Sequence, residues 1–444
     1  MACPIDTKIR KEGILEASHS KQERPSIHEN NSAVTNGFTN AADDHSERVG
    51  KKTGFIQRQR KLTGAQFAQA TVFGWLHHPS ATRQQLYQAL LQTSGQVVSA
   101  QGYEARFSAS AATFLRALVE VATQEVFADT TLTPLLKRFQ GVYLTDCTRI
   151  EAAVFPLKVA ARLELQQGSL QLALEPLQTH DNASGVAQAP LPRGALHVGD
   201  LGFFDLKRFA QWRQSGVEWV SRYKTGTLLY TPDGKRLCLE RLLTSTTPTL
   251  TVSVLVGAKQ RLPMVLVAQR LDEPTYQQRL ARLRQRAKRK QHPLRARQTQ
   301  LARWTLYLTS LPDLSFAQVH TLYRARWQME RLFKRWKSLA HLTTSTTRDP
   351  HRRACEVYAK LLAVLVAHWL TQAYGWCNPD LSHDKCFCLL QQHAAFVHLV
   401  WFRFPQALPF LDAFLAFGSA AALLSQRRSR PNAAALWIDF DAFA

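Results

Sequence analysis

The hydrophobic pattern of this chain changes period twice, and those changes restrict its architecture more than any other feature. From Lys51 to about residue 126 apolar residues recur at helical spacing. Thr63 followed by Gln66 reads as an N-cap with a capping box, and SATRQQLYQALLQT and SASAATFLRALVEVATQEV continue the helical pattern. Near residue 140 the period becomes that of strands. GVYLTD reads as a buried strand ending on Asp146, and ARLELQQGSLQLALEP alternates about a Gln-Gly turn as a hairpin does. GALHVGD is a short apolar strand ending on Asp200. FDLKRFAQWRQSG reads as a helix, VEWVSRYK as a strand, and residues 226–271 as mostly β around a Pro-Asp-Gly turn. After the strand WTLYLTSL, Ser315 starts a helix, and residues 352–425 read as helical. Strands interleaved with helices, flanked by all-helical ends, predict an α/β fold.

The pattern divides the 444 residues into segments. Residues 1–50 read as a polar, disordered leader, and 51–135 as a helical, DNA-binding domain carrying the basic patch of Arg58, Arg60 and Lys61. A plain helical domain fits 51–135 as well. Residues 136–225 and 304–345 read as mixed strand and helix on either side of a β-rich stretch with a basic run at 226–303, with a helical C-terminal region at 346–444.

The formal net charge of +23 makes a polyanion the expected partner, either nucleic acid or an anionic membrane. The most apolar helical stretch, YAKLLAVLVAHWL, is too short to span and carries Lys360 and His368, which disfavours the membrane. No apolar core flanked by a cleavage site marks a signal peptide. Seven cysteines in so long a chain are no disulfide framework. Cys386 and Cys388, with His383 and His393 nearby, fit buried helix cysteines better than a zinc site. A reducing, intracellular setting is the expectation.

Three acids stand out by position. An aspartate at the end of a sheet strand, as read for Asp146 and Asp200, stands where ligands approach, although many such residues only cap a turn. Glu330 lies inside LYRARWQMERLFKRWKS, among arginines and lysines. It could simply pair with Arg326 and Lys334, four residues to either side. On a continuous helix, Tyr323, Arg326, Glu330 and Lys337 fall within about 60° of one another. Trp327 lies close to that stripe, and Trp304 and Trp327 are expected to pack in the core rather than stack on a base. Phosphodiester cleavage by two metals needs clustered carboxylates, while cations position the DNA backbone.

The spacing Tyr-x2-Arg-x3-Glu-x6-Lys, met by Tyr323, Arg326, Glu330 and Lys337, resembles the signature of DDE transposases of bacterial insertion sequences, in the insertion-sequence-four group. LTDCT resembles that group's first-aspartate motif and VGDLGFF its second; GFIQRQRKLT resembles its N-terminal opening. The resemblance covers roughly residues 51–420. It implies a ribonuclease H-like catalytic domain in which Asp146, Asp200 and Glu330 hold two Mg2+ ions, with Mn2+ as a substitute. It implies double-stranded DNA as partner, both element ends and target, and a homodimer on that DNA. Tyr323, Arg326 and Lys337 would bind phosphates beside the cut. The acid-free basic run, with Arg284, Arg286, Lys288, Arg289 and Lys290, is expected to contact the DNA backbone. After Asp146 the chain is shorter than that group's usual spacing, near Lys158, which implies a trimmed loop. Two rival readings remain: a DNA-binding protein of the same fold without catalysis, and a basic helical nucleic-acid binder whose acids are structural.

Overall fold

The computed structural model describes residues 46–58, 61–123, 138–151, 155–244, 247–345, 347–375 and 381–423. Most of the expected leader, Arg60, and part of the loop after Asp146 lie outside the described residues.

Five helices open the described chain: α1 (Ser46–Lys52), α2 (Gly64–His77), α3 (Arg83–Ser94), α4 (Ala100–Glu104) and α5 (Ala109–Ala122). Local signals start them. Thr63 caps α2 and Thr82 caps α3, each through a capping box with the glutamine three residues on. Strands β1 (Val142–Ile150), β2 (Leu157–Glu164) and β3 (Leu170–Glu175) form an antiparallel meander. Next come β4 (Leu196–Gly199), α6 (Leu206–Ser215) and β5 (Glu218–Arg222), with β4 parallel to both β1 and β5.

The inserted segment contributes β6 (Leu229–Tyr230), β7 (Arg236–Leu237), β8 (Thr249–Val256) and β9 (Leu262–Arg270). It then turns helical, as α7 (Glu273–Arg289) and α8 (Ala296–Ala302), so the mostly β reading holds only as far as Arg270. Asp272 caps α7, and Tyr276 and Leu280 fix its buried side. Strand β10 (Trp304–Thr309) bridges β5 and β9, making one ten-stranded sheet in the order β3-β2-β1-β4-β5-β10-β9-β8-β6-β7. Strands β6 to β9 therefore continue the sheet of β1 to β5 through β10.

Helices α9 (Phe316–Arg324), α10 (Trp327–Ser338), α11 (Pro350–Gly375), α12 (His383–Gln392), α13 (Ala394–Phe402) and α14 (Leu408–Ala421) complete the fold. By length and composition α11 could cross a membrane, so the expectation that this stretch is too short is corrected; its apolar window is 100% buried inside the fold. It packs against α2 and α5. One apolar core joins Phe67 and Phe114 of the N-terminal helices, Leu361 and Leu365 of α11, and Leu144 and Val198 of the sheet. The N-terminal helices thus have no separate core. A second core under the opposite face holds Phe209, Trp212 and Trp219.

Candidate active site

Strand register brings the two aspartates together. β1 and β4 run parallel with Thr145 opposite Gly199 as the last pair. Asp146 and Asp200 each follow by one residue, on neighbouring strands at the same edge of the sheet. β4 stops there, and Asp200 caps a short 3-10 turn by accepting from the Gly202 N–H at 2.7 Å. β1 does not stop. It continues to Ile150 because β2 pairs with it throughout, so Asp146 sits mid-strand, opposite Ala161, instead of ending the strand as expected.

Glu330 arrives from above this edge. Met329, Leu332, Phe333 and Trp336 bury one face of α10, which leaves Glu330, Lys334 and Lys337 exposed on the other. Arg335 ties α10 to α12 through Asp384 at 2.9 Å. The helix from Ser315 is not continuous, which corrects the single stripe expected for it. At Ala325 and Arg326 the hydrogen bonds shorten to three-residue spacing, Arg326 N–H to Tyr323 and Met329 N–H to Arg326. The tighter turn changes the rotation between Tyr323 and the residues after it. Tyr323 lies half-buried against the Tyr307 ring, 5.0 Å between centroids. Trp327 is 61% exposed, which corrects the expectation of core packing, whereas Trp304 is buried as expected.

Arg326 joins the pieces. Its guanidinium donates to Asp146 Oδ2 at 3.1 Å and to Glu330 Oε1. The bland pairing of Glu330 with Arg326 is therefore present, but it is shared with an acid 180 residues away along the chain. The Asp146 carboxyl is pushed up to about 6, chiefly by burial, then by the charges of Asp200 and Glu330, against the Cys147 N–H and Arg326. The Tyr323 hydroxyl is raised by burial, with Asp200 adding to the effect and Arg326 and Arg222 opposing it. Asp200 is thus close enough to act electrostatically on both.

The three acids offer carboxylate oxygens, the donors a hard divalent cation prefers. Burial and the charges of Asp200 and Glu330 disfavour the ionised form of Asp146. Yet among the described residues no three His, Cys, Asp or Glu side chains are grouped so as to hold an ion. The residues fit such a cation in kind, and Arg326 supplies the positive charge between Asp146 and Glu330 here.

The remaining basic residues divide into two sets. Arg284, Arg286, Lys288, Arg289 and Lys290 are exposed along the end of α7, and Arg58, Lys61 and Lys337 are exposed too. Arg279 is internal: it donates to the Trp304 carbonyl at 2.8 Å and to Thr305 at 3.1 Å. Arg303 pairs with Glu273 at 3.2 Å and lies over the Tyr276 ring. Part of the basic run therefore holds the insertion to the sheet.

Sequence reasoning passed over His197, Lys158 and Asp181. His197 is buried beneath the aspartates, within 3.1 Å of Thr145 Oγ1, and burial lowers its pKa to about 3. Its signal was its place on β4, two residues before the glycine that precedes Asp200. Lys158 is buried and paired with Asp181, a contact with no local sequence mark.

The transposase DDE domain family matches residues 147–366. The chain is 25% identical over 402 residues to the transposase for insertion sequence element IS231B of Bacillus thuringiensis subsp. berliner, covering 79% of this chain and 83% of that protein. It is 25% identical over 397 residues to the IS231F transposase of Bacillus thuringiensis subsp. israelensis, covering 78% and 82%. The transposase of IS1151 from Clostridium perfringens is 26% identical over 194 residues, 39% of this chain and 41% of its own length. Together these likenesses support a DDE transposase of insertion sequences.

Proposed function

We propose that this chain, a DDE transposase of insertion sequences by those likenesses, cuts DNA at the ends of its element and joins the freed 3′-OH ends to target DNA. The proposal includes the finer assignments: membership of the insertion-sequence-four group, a ribonuclease H-like catalytic domain, and Asp146, Asp200 and Glu330 as its acids. The strand order β3-β2-β1-β4-β5, with β1, β4 and β5 parallel, supports the domain reading. One observation carries this reading: Asp146 and Asp200 follow the last β1–β4 pair on adjacent strands, and Arg326 pairs with both Asp146 and Glu330.

The residues divide the work. Asp146 and Asp200, held on adjacent strands, and Glu330, held on α10, would bind Mg2+, with Mn2+ as a substitute. Two such ions, when bound, would polarise the scissile phosphate and make water or a 3′-OH a competent nucleophile. Arg326 is placed to exchange its two carboxylates for a DNA phosphate, since guanidinium binds either in the same forked geometry. Tyr323 and Lys337 would hold neighbouring phosphates. The exposed cations of α7 and those near Lys61 would follow the backbone of double-stranded DNA. The exposed Trp327 offers a stacking face to an unpaired base beside the cut. Action on two ends calls for a homodimer on DNA in the bacterial cytoplasm.

The test is strand cleavage of element-end DNA in Mg2+ or Mn2+, comparing wild type with Asp146→Ala. Loss of cleavage with DNA binding retained is expected. Wild-type protein that binds the ends and never cuts them would favour the second reading, a DNA-binding protein of the same fold without catalysis. Among the described residues no three acids are grouped closely enough for an ion, an observation that favours the third reading, a basic nucleic-acid binder whose acids are structural.

A further inference from the structure

A buried ion pair stands behind the catalytic edge, on the side of β1 away from Arg326. Lys158 of β2 is 3% exposed, and its ammonium donates to Asp181 Oδ1 and to the Thr179 carbonyl. Removing an ammonium from water costs several kcal/mol, by order of magnitude, and a hydrophobic pair of similar volume is often as stable. Stability alone is therefore a weak reason for this pair.

Its location suggests another. Side chains alternate along β1, so Cys147 faces away from Asp146 and toward Asp181, with which its thiol interacts. Asp181 also lies beside the Asp200 turn. A Cβ built on Gly202 would lie 2.5 Å from Asp181 Oδ2 and 2.9 Å from Asp200 Oδ1. The Gly202 N–H is the group that orients Asp200, at 2.7 Å from its Oδ1. Glycine at 202 thus lets a fourth carboxylate lie against the turn that aims the second catalytic one, while Lys158 neutralises and tethers it.

We propose that Asp181, held by Lys158, is a positioning residue that fixes the Asp200 turn for cation binding. The proposal rests on the reading of Asp146, Asp200 and Glu330 as metal-holding acids. Asp181 touches neither DNA nor the reacting atoms in this role. It acts through the backbone at Gly202, much as residues hydrogen-bonded to metal ligands orient them in other proteins.

The experiment uses full-length protein. Mn2+ binding is measured from the paramagnetic resonance signal of the free ion, and strand cleavage is followed across Mn2+ concentration. Wild type is compared with Asp181→Asn and with the double variant Lys158→Met/Asp181→Asn, and all are melted thermally. Both variants are expected to need about tenfold more Mn2+ for half-saturation and half-maximal cleavage. Cleavage should recover toward wild type at saturating Mn2+, which a merely destabilised protein would not show. A folded double variant with an unchanged Mn2+ midpoint overturns the proposal, and unfolding of both variants reduces the pair to a structural brace and overturns it too. An Asp200→Ala control separates the two levels. If wild type binds Mn2+ no better than that control, the metal reading of the site falls and takes this proposal with it.

Discussion

Arg326 donates simultaneously to Asp146 and Glu330, so a single guanidinium spans the strand and the helix that carry two of the three acids. Its Nε is buried without a hydrogen-bond partner among the described residues. That geometry makes Arg326 a competitor of any cation between those acids as well as a ligand for DNA.

Arg326→Ala should therefore move two measurements in opposite directions. Without DNA, Mn2+ binding should strengthen several-fold, because the competing positive charge is gone. Strand cleavage should fall by about a hundredfold or more, the scale of losing one positioned charge donor. Calorimetric Mn2+ titration and a cleavage time course check both; weaker Mn2+ binding would refute the competition.

Trp327 and Trp304 predict a contrast. Trp327→Ala should leave stability within about 0.5 kcal/mol, as for exposed positions, and weaken binding to DNA with an unpaired end by about 1–3 kcal/mol. Trp304, 4% exposed at the start of β10, should cost about 3–5 kcal/mol of stability when truncated to Ala. Denaturant melts and fluorescence anisotropy separate the two.

Replacing Arg284, Arg286 and Lys288 together by Ala should lower the slope of log affinity against log salt by roughly 2 to 3, since each phosphate contact contributes about 0.9. Arg279→Ala should leave the slope intact and lower the melting temperature, because that side chain holds the insertion to β10. An equal change of slope in both would contradict the division.

Acid should destabilise the fold through buried histidines. His368 sits within 2.7 Å of the Gly168 carbonyl, and burial lowers its pKa to about 4 from 6.5. Between those values the unfolded chain binds the proton and the folded chain does not, so stability rises with pH. The contribution is fully present above about 6.5 and is lost as pH falls toward about 4. Melting temperature should drop by roughly 5–10 °C across that window, and His368→Gln, which can still donate to Gly168, should flatten part of the fall.

Much of this molecule was readable along the chain because its signals are local. Capping boxes at Thr63, Thr82 and Ser315 mark helix starts within four residues. The alternation either side of Gly168 marks β2 and β3, and the strand before Asp200 is short and buried throughout. Each depends on side chains and backbone groups a few residues apart, so composition and spacing suffice to name it.

What the tertiary structure decided were contacts between distant residues. The run of β1 past Asp146 depends on β2 offering partners as far as Leu157, and the turn at Ala325 and Arg326 is set where two helices meet the sheet and its acids. The burial of Lys158 against Asp181, the exposure of Trp327 and the shared core of α2, α5 and α11 have the same origin. Periodicity specifies which face of an element is apolar. What lies against that face, and where a charged group finds its counter-charge, is settled only when the whole chain packs, because those energies belong to pairs that sequence distance does not order.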